Sequence, residues 1–306
     1  MNIVFMGTPD FAVKSLERLI ADGHNIQAVY TKADAPKGRK MVLTPSDVKV
    51  CALEHNLTVF TPATLKDEAE IERLKEYNPD LIVVVAYGKL LPKAVLDIPK
   101  YGCVNVHGSI LPRWRGAAPI QWTVLSGDEF GGVTTMYMSE GLDTGDMILT
   151  RKVKVGENET SGELFDRLCI DGAELLSETI EAVEAGTAPR IPQNEEDATY
   201  AHMLSKDLSN IDWNKTANEV HNKVRGLSPW PSAQTLLFGK RVKILETRVV
   251  AEKGEAGKVI SASPLTVACK EGAVEIVRLQ CEGKRAMNSA DYLKGHSIEI
   301  GTILGK

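Results

Sequence analysis

Short apolar runs alternate with helical patterns along the first half of the chain. Asn2–Met6 has the composition of a strand, and Phe11, Leu16, Leu19 and Ile20 follow at helical spacing. Between them, Thr8 and Pro9 stand where an N-cap and a first-turn proline are expected. Ile26–Tyr30 predicts a second strand. After a polar loop, Ser46 predicts a cap for a helix running to about His55, and Leu65–Tyr77 predicts another. Leu81–Ala86 is apolar throughout, which predicts a parallel strand buried on both faces. Cys103–His107 and Gly132–Met138 predict further strands, and Gly162–Ala185 a long helix. Strands interleaved with helices predict a doubly wound, Rossmann-like α/β sheet.

The pattern changes near residue 186. Pro189, Pro192 and the acidic run Glu195-Glu196-Asp197 offer little to bury, so residues 189–205 read as a linker. Beyond Asp212 the pattern predicts one helix, around Lys215–Arg225. Short strands follow at Ala233–Leu237, Arg241–Val250, Lys258–Ser261, Leu265–Ala268 and Ala273–Leu279. That spacing predicts a small, OB-like β-barrel. The expected division is an α/β domain at 1–188, the linker, and the barrel at 206–306.

The 306 residues are 43% hydrophobic and 25% charged, ordinary for a soluble globular enzyme. No run approaches the roughly 18 apolar residues of a membrane span, and the N-terminal segment lacks a basic leader. A secreted disulfide scaffold, a membrane protein and a disordered chain are therefore not expected. Cys51, Cys103, Cys169, Cys269 and Cys281 are scattered without a C-x-x-C pair, which reads as reduced thiols in the cytoplasm. The net charge of −5 conceals an asymmetry. Residues 1–205 carry 20 basic and 30 acidic side chains, whereas residues 206–306 carry 16 basic and 11 acidic. A positive end on an acidic chain suits a polyanion.

Gly7 follows the first strand, but the second and third glycines of G-x-G-x-x-G are missing, so a nicotinamide cofactor is not expected. The strongest chemical signal is the run from Cys103 to Gly116. Alternate side chains of a strand share a face, so Asn105 and His107 point one way while Val104 and Val106 point the other. Both polar groups fall at the carboxyl end of the strand, where open α/β sheets bind ligands. An asparagine amide can stabilise a developing oxyanion, and a histidine can move a proton near neutral pH. Glu140, Asp143 and Asp146 are equivalent candidates for a carboxylate partner to the imidazole. Their spacing lacks the ligand pattern of a calcium loop, and no metal is expected. The nucleophile-elbow motif G-x-S-x-G is also missing, and nothing marks Ser109 as activated. Chemistry in which the substrate supplies the nucleophile fits best.

Asn105-Val-His-Gly-Ser-Ile-Leu-Pro112, Gly141-Leu-Asp-Thr-Gly-Asp146 and Gly7-Thr-Pro-Asp-Phe-Ala12 together resemble the 10-formyltetrahydrofolate-dependent formyltransferases. The resemblance implies a catalytic set of Asn105, His107 and Asp143, and a folate-contacting turn at Ser109, Ile110, Leu111 and Pro112. Ile110 is a conservative departure from that family's turn, and Ser139 stands where many relatives have Asp. Ala35–Lys49 and Val224–Pro231 are similar to the basic loop and the C-terminal signature of the branch that acts on methionyl-tRNA. The resemblance spans nearly the whole chain. It implies 10-formyltetrahydrofolate as donor, initiator methionyl-tRNA as acceptor, and tRNA contacts from Lys37, Arg39 and Lys40.

The implied reaction begins with attack of the neutral α-amine on the formyl carbon and ends with expulsion of N10 of the folate. Asn105 and protonated His107 would hold the oxyanion, and Asp143 would orient His107 and favour its charged form. Trp230, between two prolines, reads as a core or interdomain side chain, with a base-stacking platform as the alternative. Arg113 and Arg115 read either as cations for a nearby polyanion or as a surface cap on the folate turn. Nothing in the sequence demands more than a cytoplasmic monomer. Two other readings remain: a formyl-folate enzyme with a different acceptor, and an inactive RNA-binding protein.

Overall fold

A computed structural model describes residues 1–38 and 41–305. The chain groups into two compact units. One comprises Met1–Gly116, Gly132–Val153 and Phe165–Tyr200; the other comprises Ala117–Gly131, Lys154–Leu164 and Ala201–Lys306.

The strands begin with β1 (Asn2–Gly7), β2 (Asn25–Tyr30), β3 (Ala35–Lys37), β4 (Val42–Thr44) and β5 (Val59–Phe60). They continue with β6 (Leu81–Val85), β7 (Cys103–His107), β8 (Arg115–Gly116), β9 (Phe130–Tyr137) and β10 (Met147–Lys154). Seven of these form one sheet in the order β10-β9-β7-β6-β1-β2-β5. All five residues of β6 are buried, as its unbroken apolar run requires of a strand lying between two neighbours. From β5 through β7 the pairings are parallel. β9 then runs antiparallel to β7, with His107 opposite Thr134 and Val104 opposite Tyr137.

The helices of the first unit are α1 (Val13–Ala21), α2 (Asp47–Glu54), α3 (Glu68–Tyr77) and α4 (Lys93–Leu96). A fifth, α5 (Pro119–Leu125), belongs to the second unit, and α6 (Ser161–Glu184) is the long helix expected from the sequence. Ser46 caps α2, its hydroxyl accepting from the Lys49 N–H at 3.1 Å. Thr8 does not cap α1. Its hydroxyl donates to the Tyr87 carbonyl, and a 3-10 turn at Asp10–Ala12 precedes the helix. Gly172 brings α6 against β7: a Cβ there would lie 3.1 Å from Val106.

The basic stretch expected to be a loop contains a hairpin, with β3 and β4 paired antiparallel and Lys37 opposite Val42. Lys37 is exposed on it; Arg39 and Lys40 lie outside the described residues. Residues 189–205, read as a linker, are bonded into the structure. Ile191 forms a β-bridge with Met147, and β11 (Tyr200–Ala201) pairs with β8.

In the second unit, α7 (Ala217–Gly226) opens with a reciprocal cap between Thr216 and Glu219. Then come β12 (Ala233–Leu237), β13 (Lys240–Val250), β14 (Val259–Ala262), β15 (Leu265–Ala268), β16 (Ala273–Cys281), β17 (Met287–Asn288) and α8 (Ser289–Leu293). They form a six-stranded antiparallel sheet, β12-β13-β16-β15-β14 with β17 on β16. Register shifts beside Glu246 bend the long β13–β16 pair. The core under this sheet is built on Trp213, Val220, Val224, Ile244 and Ile276. Trp213, rather than Trp230, is the core tryptophan; Trp230 is exposed.

Candidate active site

Asn105 and His107 are both buried at the end of β7, at 8% and 6% exposure. The Asn105 side-chain amide has no hydrogen-bond partner among the described residues. His107 is held from both sides. Its Nε2 donates to the Trp114 carbonyl at 2.9 Å. A carbonyl only accepts, so this contact puts a proton on Nε2. Its Nδ1 lies 3.7 Å from Oδ2 of Asp143, too long for a hydrogen bond but close for an ion pair. That carboxylate oxygen instead accepts from the Gly116 N–H at 2.8 Å. The turn after β7 therefore grips the imidazole through one backbone group and the carboxylate through another.

Register explains why Asp143 can reach His107 only through a folded loop. Tyr137 sits opposite Val104, so residues 138–146 leave β9 at the amino end of β7 and must return toward its carboxyl end. The return is tight. A Cβ on Gly145 would lie 1.7 Å from the Tyr137 carbonyl oxygen, so no side chain fits there. Asp143 itself adopts a left-handed backbone, φ 53°, which costs an L-residue about 1–2 kcal/mol. Ser139, the departure from the family pattern, pairs its hydroxyl with that of Thr144 at 2.9 Å. The Gln193 amide donates to the carbonyls of Asp143 and Gly145, both at 2.8 Å.

The fold separates the three carboxylates that the sequence leaves equivalent. Glu140 is exposed, and Asp146 faces Arg190 at 3.8 Å. Asp143 is the one that faces His107. Within the turn Ser109–Pro112, the Ser109 hydroxyl donates to the Arg113 carbonyl at 2.6 Å. Thr134 on β9 donates to the Ser109 carbonyl at 2.7 Å and accepts from the Leu111 N–H at 3.2 Å. Ser109 and Leu111 are buried by these contacts, which leaves Ile110 and Pro112 partly exposed.

Arg115 departs from both of its sequence readings. It is neither a surface cap nor a free cation but the largest fully buried side chain among the described residues. Its terminal nitrogens donate to both carboxylate oxygens of Glu195, at 2.9 and 2.8 Å, and its Nε donates to Gln193 at 2.9 Å. Hydrogen bonding to Glu195 raises its pKa still further above the usual guanidinium range. Three of its five N–H groups are committed to Glu195 and Gln193, which ties this guanidinium into the protein. Arg113 lies over the Trp114 ring, 4.4 Å from its centroid. The Trp114 carbonyl and Gln193 were not legible as site residues, and Arg115 was legible only as a cation or a surface cap. The first is a backbone group, and Gln193 lies in a segment whose composition suggests only a linker.

The N-terminal model of the formyl transferase family matches residues 1–180, and its C-terminal domain model matches residues 203–297. A methionyl-tRNA formyltransferase of Agathobacter rectalis is 47% identical over 307 residues, covering 99% of each chain. That of Clostridioides difficile is 48% identical over 309 residues, covering 100% of each. The chain belongs to the methionyl-tRNA formyltransferases. Solved formyltransferases share this family fold. An N-formyltransferase from Helicobacter canadensis, in complex with folinic acid and dTDP-3-aminofucose, superposes with a TM-score of 0.69 at 19% identity, over 92% of this chain and 99% of that one. HypX from Aquifex aeolicus, in complex with tetrahydrofolic acid, gives 0.64 at 19%, over 98% of this chain and 50% of that one.

Proposed function

We propose that the protein transfers the formyl group of 10-formyltetrahydrofolate to the α-amino group of initiator methionyl-tRNA in the cytoplasm, acting as a monomer. The observation that carries the chemistry is the pairing on β7: an Asn105 amide without a partner among the described residues beside an imidazole fixed through Nε2. Such a pair suits a carbonyl oxygen that gains charge, because both donors are in place before the reaction begins.

The neutral amine attacks the formyl carbon, a C–N bond forms, and the carbonyl π pair moves onto oxygen. The Asn105 N–H and the Nδ1–H of protonated His107 stabilise that oxyanion. Asp143, at 3.7 Å from Nδ1, faces the ring without accepting a hydrogen bond from it, so Nδ1 stays available for the reaction. Collapse returns the pair to the carbonyl and expels N10. His107 gives its Nδ1 proton to the departing nitrogen and regains one from the ammonium, so the ring ends in the state in which it began. Proton transfer of this kind is typically worth about 10²–10⁴-fold.

Ile110 and Pro112, the partly exposed half of the turn, suit contact with the folate, while Ser109 and Leu111 hold its shape. Lys37, on the basic hairpin, together with Arg39 and Lys40 would meet phosphates of the acceptor arm, with Arg39 telling an unpaired acceptor end from a paired one. In this reading residues 1–188 bind donor and amine, residues 189–205 connect, and 206–306 add cationic surface for the tRNA. Affinity for tRNA should then fall steeply with added salt.

One assay tests the reading. The protein is mixed with formyl-folate and charged initiator tRNA, then with uncharged tRNA, while formyl release and acylation are followed. Transfer to the charged species alone is expected, and His107→Ala should nearly abolish it while leaving tRNA binding largely intact. Full activity in that variant would sink the assignment.

A further inference from the structure

The loop that carries Asp143 has few interactions of its own, yet it must hold a left-handed aspartate in place. Two of its carbonyls are tied from outside. One Gln193 amide nitrogen donates to two of its carbonyls, Asp143 and Gly145, while the amide oxygen accepts from Arg115 Nε. The orientation of this amide is not arbitrary. A guanidinium only donates, so the oxygen must face Arg115 and the NH2 must face the loop. Arg115 in turn is immobilised by both oxygens of Glu195. Gly116, the next residue, gives its N–H to the Asp143 carboxylate. The backbone and the side chain of Asp143 are thus fixed by two routes that start at adjacent residues.

We propose that Gln193 is a positioning residue for formyl transfer, oriented by Arg115 and acting through Asp143. The proposal rests on the reaction assigned above. Gln193 touches neither His107 nor Asn105. It sets where the carboxylate stands relative to the ring. A misplacement of about 1 Å at a reacting centre can cost on the order of 10²-fold in rate. Losing one amide with three hydrogen bonds should therefore lower kcat about 10–100-fold and leave the KM for charged tRNA within about threefold.

Gln193→Met tests this, because it keeps the length and volume of the side chain and removes only its polar atoms. The expected result is a folded protein with a lowered unfolding temperature, because the buried Arg115 Nε–H and two loop carbonyls lose their partner, together with reduced kcat and faster deuterium exchange at residues 140–146 and Gly116. The double variant Asp143→Ala/Gln193→Met should be no slower than Asp143→Ala alone, since residues acting as one unit are non-additive. Losses that multiply in the double variant would overturn the route through Asp143. If the wild type is active and Gln193→Met is equally active with unchanged exchange, the role of Gln193 falls while the reaction stands. A wild type inactive on charged methionyl-tRNA overturns the reaction and, with it, this proposal.

Discussion

Gly145→Ala adds one methyl group to a loop of the candidate site. Its Cβ would lie 1.7 Å from the Tyr137 carbonyl oxygen, where real Cβ contacts are not found below 3.0 Å. The clash can be relieved only by moving the loop or the strand. Tyr137 belongs to β9, which is paired to β7 over four residues. The loop is therefore the part that yields, and it has to open by more than an ångström. Asp143 is two residues away, and its 3.7 Å approach to His107 depends on the closed loop. A displacement of that size should cost on the order of 10² in kcat/KM, which is about 2.7 kcal/mol of transition-state stabilisation. The assay is single-turnover formylation of charged tRNA with enzyme in excess. Gly295→Ala serves as the control, because a Cβ there meets nothing within 4 Å. If Gly145→Ala matched the control, the closed loop would not be what places the carboxylate, and the account of the site would be wrong.

Further outcomes follow from other buried groups. Thr134→Val should leave the Leu111 N–H and the Ser109 carbonyl without their side-chain partner, at about 1–3 kcal/mol for each buried group orphaned; urea unfolding of Thr134→Ser, which keeps both bonds, gives the comparison. Burial lowers the pKa of His221 between Thr247 and the Glu157 carbonyl, so the folded state binds its proton less readily than the unfolded chain. Its contribution is then complete above the unfolded value of roughly 6.5 and lost as pH falls through the lower folded value. Between pH 7.5 and 5.5 the melting temperature should drop less in His221→Gln than in the wild type, and parallel curves would refute the assignment. Burial pushes the Cys103 and Cys169 thiols up to about 12 and the Cys269 thiol to about 11, whereas Cys281 is partly exposed. A brief pulse of iodoacetamide on the native protein should modify Cys281 first, as read by peptide mass.

Much of the fold was legible because local pattern and tertiary role agree. The apolar run is buried as predicted over Leu81–Val85, with Ala86 exposed just beyond the strand, and the strands from Ala233 to Cys281 fall within a few residues of their expected positions. β10 was not foreseen. It alternates buried and exposed positions only loosely, and its Thr-Arg-Lys stretch hides a strand. Nor was the reversed direction of β9, since strand composition carries no sign of which way a neighbour runs. Asn105 and His107 could be found because a period of two places them together. Asp143 could not be separated from Glu140 and Asp146 by pattern, because the choice depends on a loop closing against a carbonyl far from its own residue. Gln193 was hidden for a related reason. Its partners lie about fifty residues earlier in the chain, and its neighbours are the prolines and acids of an apparent connector.

The grip of the Trp114 carbonyl on His107 has a consequence for how this site can change over generations. The oxygen that fixes the ring belongs to the main chain, so every amino acid at position 114 supplies it. What selection can act on is the shape that delivers it, a left-handed turn with φ 62° at Trp114. Replacement of that indole should be judged by whether the newcomer accepts the turn, with glycine and asparagine better suited than valine or isoleucine. A scan that truncates side chains one at a time would leave this oxygen untouched. The site can drift in sequence at 114 and keep its imidazole anchored.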